Sequence, residues 1–142
     1  MNVTAEKFGY PDAVVKEFDH WAVLVRPAQP TLGSLVLVCR DAASRFGDIS
    51  QAAAAELQQA TSAIERVLAE AFDYQKINYL MLMMVDPDVH FHVLPRYEED
   101  REYAGAHFVD ATWPGPPDIT AANPFSAEVK AQLIADLRAR FG

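Results

Sequence analysis

Between residues 13 and 40 the hydrophobic positions fall in short runs separated by polar and turn-forming residues, a pattern that predicts strands. Ala13-Val14-Val15 and Trp21-Ala22-Val23-Leu24-Val25 form the first two, joined through Lys16-Glu17-Phe18-Asp19-His20. The stretch Arg26 to Gly33 then leads into a strand over Ser34 to Arg40. Pro27 and Pro30 have no amide hydrogen for a ladder, so this linker is loop or sheet edge. From Asp48 the period becomes helical, with Leu57, Ala60, Ile64, Val67, Leu68, Ala71 and Phe72 on one stripe. A helix over about residues 50–72 is expected to lay that stripe on a sheet. Asp48 followed by Gln51 matches a capping box and predicts Asp48 as its cap.

Two strands follow, Ile77 to Val85 and Val89 to Arg96, with Asp86-Pro87-Asp88 between them as a tight type I turn and hence an antiparallel hairpin. Met81-Leu82-Met83-Met84-Val85 does not alternate, which predicts a central strand covered on both faces with methionine as core filler. Glu98 to Glu102 reads as a solvated loop, and Thr112 to Pro117 as irregular chain. Ser126 predicts the cap of a terminal helix carrying Val129, Leu133, Ile134, Leu137 and Phe141 and closed by Gly142. The order β-β-β-α-β-β-α predicts the α+β class: an antiparallel sheet of about five strands, one long helix packed on it and a C-terminal helix. The whole of 1–142 is expected to be a single domain, with a core over about 10–97 and an extension over 98–142.

Composition agrees with a folded domain, since 51% of the 142 residues are hydrophobic and 23% charged. Twelve Lys plus Arg against 20 Asp plus Glu give a formal charge of −8, which argues against a nucleic-acid partner. The excess is local: residues 48–73 and residues 98–110 each hold five acidic residues against one arginine. The remaining chain is balanced, so net charge does not exclude an anionic small-molecule ligand. Cys39 is the lone cysteine and is expected to be a buried thiol. Met1 to Tyr10 has no apolar core of a leader, and the longest apolar run, Tyr79 to Val85, falls short of the ~20 residues that span a bilayer. No membrane partner and a cytoplasmic location are the expectations.

The chemistry concentrates in Asp88-Val89-His90-Phe91-His92-Val93-Leu94-Pro95-Arg96. Strand alternation places Val89, Phe91 and Val93 toward the core and Asp88, His90 and His92 on the other face. Three readings stay open on spacing alone. A neutral imidazole is a nucleophile toward phosphorus when its other nitrogen is held by a hydrogen bond. Two imidazoles and a carboxylate are a ligand set for a divalent cation. Polar groups on an exposed sheet face need no further role.

The run His90-Phe91-His92-Val93-Leu94-Pro95-Arg96 resembles the end of the histidine triad (HIT) signature, His-φ-His-φ-His-φ-φ, and its Pro-Arg is similar to the fragile-histidine-triad branch. The resemblance covers roughly residues 13–97 and includes the hairpin, the Pro-rich linker, the Leu-Val-Leu-Val-Cys strand, Arg45-Phe46-Gly47-Asp48 and the long helix. It implies a nucleotide hydrolase or nucleotidyl transferase acting on dinucleoside polyphosphates or nucleoside phosphoramidates through a nucleotidyl-His90 intermediate. His90 takes the place of the nucleophile and His92 that of the phosphate-contacting histidine. Asp88 stands where the first histidine would be, to orient or modulate. Arg96, Arg26, Asn78 and Ser34 are the candidate substrate-binding residues. His20, His107 and Trp113 are assigned to surface or packing. The resemblance also implies a homodimer, no required cofactor and no protein-bound metal, with Mg²⁺ entering only on the substrate polyphosphate.

Two departures bear on activity. The family's Gly-x-x-Ala-Gly-Gln-(Ser/Thr) loop is replaced by Asp86-Pro87-Asp88, and no asparagine lies between Ala22 and Ser34. The alternatives are therefore a catalytically impaired nucleotide-binding or interaction module and a metal-binding protein using Asp88, His90 and His92.

Overall fold

The computed structural model describes residues 1–142. Strands β1 (Val14–Glu17), β2 (Trp21–Val25), β3 (Leu35–Cys39), β4 (Lys76–Leu80) and β5 (His90–Arg96) form one antiparallel sheet in the order β1-β2-β3-β5-β4. Helix α2 (Gln51–Phe72) covers one face and α3 (Ala127–Phe141) packs beside it near β1. The α+β class and the five-stranded antiparallel sheet are as expected. A short helix, α1 (Val3–Lys7), lies on the opposite face, and a hairpin of β6 (Arg101–Tyr103) and β7 (Ala106–Phe108) follows the main sheet.

Alternation sorts the sheet's side chains into two layers. Trp21, Val23, Val25, Leu35, Leu37, Cys39 and Val93 join Ala60, Ile64, Val67, Leu68 and Phe72 of α2 in the main core. Ala22, Leu24, Val36 and Val38 point the other way, against Ala5 and Phe8 of α1. The spacing that predicted α2 is thus the stripe buried beneath it. The Trp21 indole N–H donates to the Ala53 carbonyl at 2.8 Å, pinning the first turn of the helix to β2. Cys39 is a buried free thiol.

Several boundaries differ from expectation for identifiable reasons. The cap of α2 is Ser50, whose hydroxyl accepts from the Ala53 amide at 3.0 Å, while Asp48 belongs to a preceding 3-10 turn. β4 stops at Leu80 and is an edge strand, and Met81 to Val89 form a loop rather than a core strand and tight turn. Met84 and Val85 are 84% and 83% exposed, so their lack of alternation reflects absence of a strand rather than burial on two faces. β1 begins at Val14 and runs on to Glu17. The charge run opens the β6–β7 hairpin, with Arg101 capping the end of α2 through the Phe72 and Asp73 carbonyls. Ser126 does cap α3, accepting from Val129 at 3.2 Å. No helix is long and apolar enough to cross a membrane.

The linker before β3 is an organised loop. The buried Gln29 side chain donates to the Arg26 and Ser34 carbonyls at 2.7 and 2.8 Å and accepts from the Gly33 and Ser34 amides at 2.9 and 3.2 Å. Gly33 has φ +83°, and a Cβ there would meet the Phe72 ring at 2.7 Å. Both the left-handed backbone and the contact require glycine. Gly33→Ala is expected to lower the unfolding free energy by about 2 kcal/mol, read as a lower urea midpoint at unchanged slope; an unchanged midpoint would show that the loop accommodates the methyl group.

Candidate active site

β5 enters the sheet between β3 and β4, but its first residues pair only with β3: His90 lies opposite Val38, and β4 reaches no further than the Leu80–His92 pair. His90 and His92 therefore project from the interior of the sheet beside the open 81–89 loop. They are 2% and 6% exposed, with ring centroids 5.2 Å apart and planes at 81°. Phe8 of α1 lies over both, 6.1 Å from the His90 ring and 5.6 Å from the His92 ring.

The two rings are held by hydrogen bonds of opposite sense. His90 Nδ1 lies 2.6 Å from the Asp88 carbonyl, which can only accept, so Nδ1 carries the hydrogen. In the neutral ring this leaves the lone pair on Nε2. His92 Nδ1 receives the Nε–H of Arg26 at 3.3 Å, so in the neutral ring its hydrogen resides on Nε2. One imidazole offers a lone pair and its neighbour an N–H. Burial, reinforced by Arg26 and His90, pushes the His92 pKa down to about 4, with Asp86 acting in the opposite direction. His92 is therefore uncharged at neutral pH and presents an Nε2–H to the cleft.

Asp88 departs from its expected place. β5 begins at His90, and the Asp88 carboxylate accepts from the Thr4 amide at 3.2 Å while its own amide donates to the Thr4 hydroxyl at 3.2 Å. Val89 is held by Ala43 and Cys39 at the end of β3, which turns residue 88 toward α1 before alternation begins. The carboxylate does not join the imidazoles, so the Asp88-His90-His92 ligand set is not assembled. No group of three or more His, Cys, Asp or Glu is placed to hold a metal ion.

Among the candidate binding residues, Arg26 reaches His92, bracing itself on the Ala28 and Ile119 carbonyls at 2.9 and 3.3 Å. Arg96 and Asn78 lie elsewhere. The buried Arg96 guanidinium grips Asp110 at 2.7 and 3.0 Å and donates to Asn78 Oδ1 at 2.8 Å and the Gly115 carbonyl at 3.0 Å. That network fastens the irregular segment after β7 to the far end of β5. Ser34 is buried in the linker and donates to the Thr31 carbonyl at 2.8 Å. His20 is bonded to Asp41, His107 to Asp100 and Glu102, and Trp113 lines a separate surface cleft with Lys76.

A cleft of about 440 Å³ opens over the histidines, walled by Lys7 and Phe8, Arg26, and the apolar Leu82 to Val85 ahead of Asp86. This volume lies within the ~300–1,000 Å³ of small-molecule sites. Sequence reasoning missed Lys7 and Phe8, because a one-turn helix has no hydrophobic period to detect.

The unfolded His92 ring takes up a proton near pH 6.5 and the folded ring only near 4. Between these values the unfolded state binds more protons, so this group's contribution to stability is complete above about 6.5 and is lost as pH falls toward 4. A ¹⁵N-edited NMR titration is expected to give His92 a midpoint near 4 with Nε2 protonated, and Arg26→Gln to raise that midpoint. A midpoint at 6.5 or above would contradict the arrangement.

A HIT domain profile matches residues 7–99, well over half of the chain. A histidine triad protein from Bradyrhizobium japonicum is 20% identical with a TM-score of 0.75, over 100% of this chain and 97% of that one. A histidine triad (HIT) protein from Sinorhizobium meliloti 1021 is 20% identical with a TM-score of 0.76, over 99% and 95% of the two chains. A histidine triad protein from Marinobacter aquaeolei VT8 is 21% identical with a TM-score of 0.73, over 96% and 93%. None of the curated proteins matches the sequence.

Proposed function

We propose, from the premise that this chain belongs to the HIT family, that it is a nucleotide hydrolase or nucleotidyl transferase working through His90. The observation that carries this reading is the opposed pair of tautomers: a lone pair on His90 Nε2 beside a hydrogen on His92 Nε2. His90 Nε2 attacks the α-phosphorus of a dinucleoside polyphosphate or nucleoside phosphoramidate. An N–P bond forms, and the bond to the leaving group breaks with its electron pair departing on that group. His92 donates Nε2–H to a phosphate oxygen as charge builds there, and Arg26 adds a positive charge beside it. Water then attacks phosphorus and releases a proton to solvent, the N–P bond breaks with its electron pair returning to His90 Nε2, and the ring is again neutral with its hydrogen on Nδ1.

Asp88 takes part through its backbone carbonyl, which orients the nucleophile. Arg96, Asn78 and Ser34 support the scaffold, with Arg26 as the binding residue among the four candidates. The chemistry calls for no protein-bound metal, and Mg²⁺ arrives on the polyphosphate. A second reading, a non-catalytic nucleotide-binding module, is favoured by one feature: Asp86-Pro87-Asp88 stands in place of the family's amide and hydroxyl donors, and Leu82 to Val85 ahead of it add only apolar side chains to the cleft. The homodimer belongs to the first reading, because β4 pairs on one side only and its open edge continues into exposed Leu82, Met84 and Val85.

With adenosine polyphosphates and adenosine phosphoramidate as substrates, His90→Ala is expected to lower turnover by on the order of 10⁴-fold. It is also expected to abolish a nucleotidyl adduct detected on the intact wild-type protein by mass spectrometry. Turnover that survives in His90→Ala overturns the His90 mechanism, and nucleotide binding without turnover in the wild type selects the second reading.

A further inference from the structure

The histidine cleft contains a second cation that the nucleotide reading does not use. Lys7 sits at the end of α1, and α1 is tethered three ways. Asn2 donates to the Cys39 carbonyl at 2.8 Å, Thr4 and Asp88 exchange two hydrogen bonds, and Ala5 and Phe8 are buried against β2 and β3. The backbone carrying Lys7 is therefore fixed relative to His90 and His92. Its ammonium lies 5.5 Å from the centroid of the Phe8 ring that covers both imidazoles, and 2.7 Å from Asp86 Oδ1. Lys7 and Asp86 both line the cleft, with side chains 53% and 15% exposed.

The other donors there are largely committed. Arg26 has Nε on His92 and both terminal nitrogens on carbonyls, and His92 offers one N–H. Lys7 differs in that its one hydrogen-bond partner is a carboxylate, an anion that a phosphate oxygen can replace. We propose that Lys7 positions the substrate phosphate in the cleft and that Asp86 is the built-in anion which this phosphate displaces. The proposal rests on the nucleotide reading of the same site and assigns it a phosphate-specific residue outside the histidine motif. The fields agree with this placement: Lys7 lowers and Asp86 raises the basicity of His92, so both charges act on the ring that donates to phosphate. It also accounts for how a cleft without a Gly-Gln loop holds an anion: a point charge from a neighbouring element stands in for amide donors.

Equilibrium binding of adenosine monophosphate and of adenosine, measured by titration calorimetry on the full chain, tests this. Lys7→Gln is expected to weaken adenosine monophosphate about tenfold, equivalent to ~1.4 kcal/mol, and to leave adenosine unchanged. Lys7→Arg is expected to restore most of the affinity. Asp86→Asn is expected to tighten adenosine monophosphate several-fold in the wild-type background and to have no effect in the Lys7→Gln background, because Asp86 acts by occupying Lys7. Melting curves check that each variant is folded. An affinity within twofold of wild type for Lys7→Gln overturns the proposal, as does equal weakening of adenosine, which would mark Lys7 as only a tether for the 81–89 loop. A gain from Asp86→Asn that persists without Lys7 overturns the displacement. Wild-type protein that binds neither ligand removes the nucleotide reading together with this one. Turnover surviving in His90→Ala removes the catalytic mechanism and leaves the Lys7 result standing.

Discussion

The structure of the site depends on how β5 is inserted in the sheet. Paired with β3 from His90 to Val93 and with β4 only from His92 onward, it has both neighbours at His92 and Val93 and is open on the β4 side at its first residues. An imidazole on a fully interior strand face would be sealed in, and one on an edge would be solvated with no fixed tautomer. The open half provides access, and the pairing with β3 provides burial. The backbone bonds of Val89 to Cys39 and Ala43 terminate the ladder at that point and leave the Asp88 carbonyl free to receive His90 Nδ1. Without that termination the carbonyl would be committed to a strand partner and His90 would lose the group that orients its ring.

Burial also determines the electrostatics. His92 is surrounded by protein and faces Arg26, and both influences hold the ring neutral. A charged imidazole would hold phosphate more strongly, but it would also oppose the neighbouring cations. The neutral ring offers an Nε2–H without that repulsion, and Arg26 and Lys7 carry the positive charge of the cleft. The net −8 of the chain does not enter this balance, since its two acidic stretches lie on the long helix and around the β6–β7 hairpin.

What the sequence shows follows the range of the interaction that determines it. The order of the five sheet strands and the two long helices, the stripe of α2 and the Ser126 cap were legible because each depends on local pattern, whereas α1 and the β6–β7 hairpin were not. The orientation of His90 and His92 away from the helix core was legible for the same reason, as strand alternation is local. The fate of Met81 to Val85 was not, because an apolar run without period describes a buried strand and an exposed loop equally well. For Arg96 a structural role and phosphate binding both stayed open in the sequence, because its partner, Asp110, is brought to it only by the chain returning after β7. Phe8 meets His90 and His92, and Lys7 meets Asp86, only through the tertiary fold, and no pattern within a five-residue helix and its cap announces them.

Asp88 shows where a motif departure is damaging and where it is not. Read as a missing histidine, it suggests a broken triad with a carboxylate repelling phosphate. In the fold the carboxylate is turned to Thr4, and the contribution of residue 88 to the neighbouring ring is its carbonyl, which any amino acid supplies. The His90 ring depends on the backbone of residue 88 and not on its side chain, so an aspartate there leaves the lone pair of His90 in place. The side chain has instead become part of the attachment of α1, the element that brings Lys7 and Phe8 over the cleft. Loss of the Gly-Gln loop is different in kind, because amide and hydroxyl donors are removed and Leu82 to Val85 do not replace them. The positive charge of the cleft comes from the side chains of Arg26 and Lys7, and Asp88, through its two hydrogen bonds with Thr4, helps to fix the element that carries Lys7.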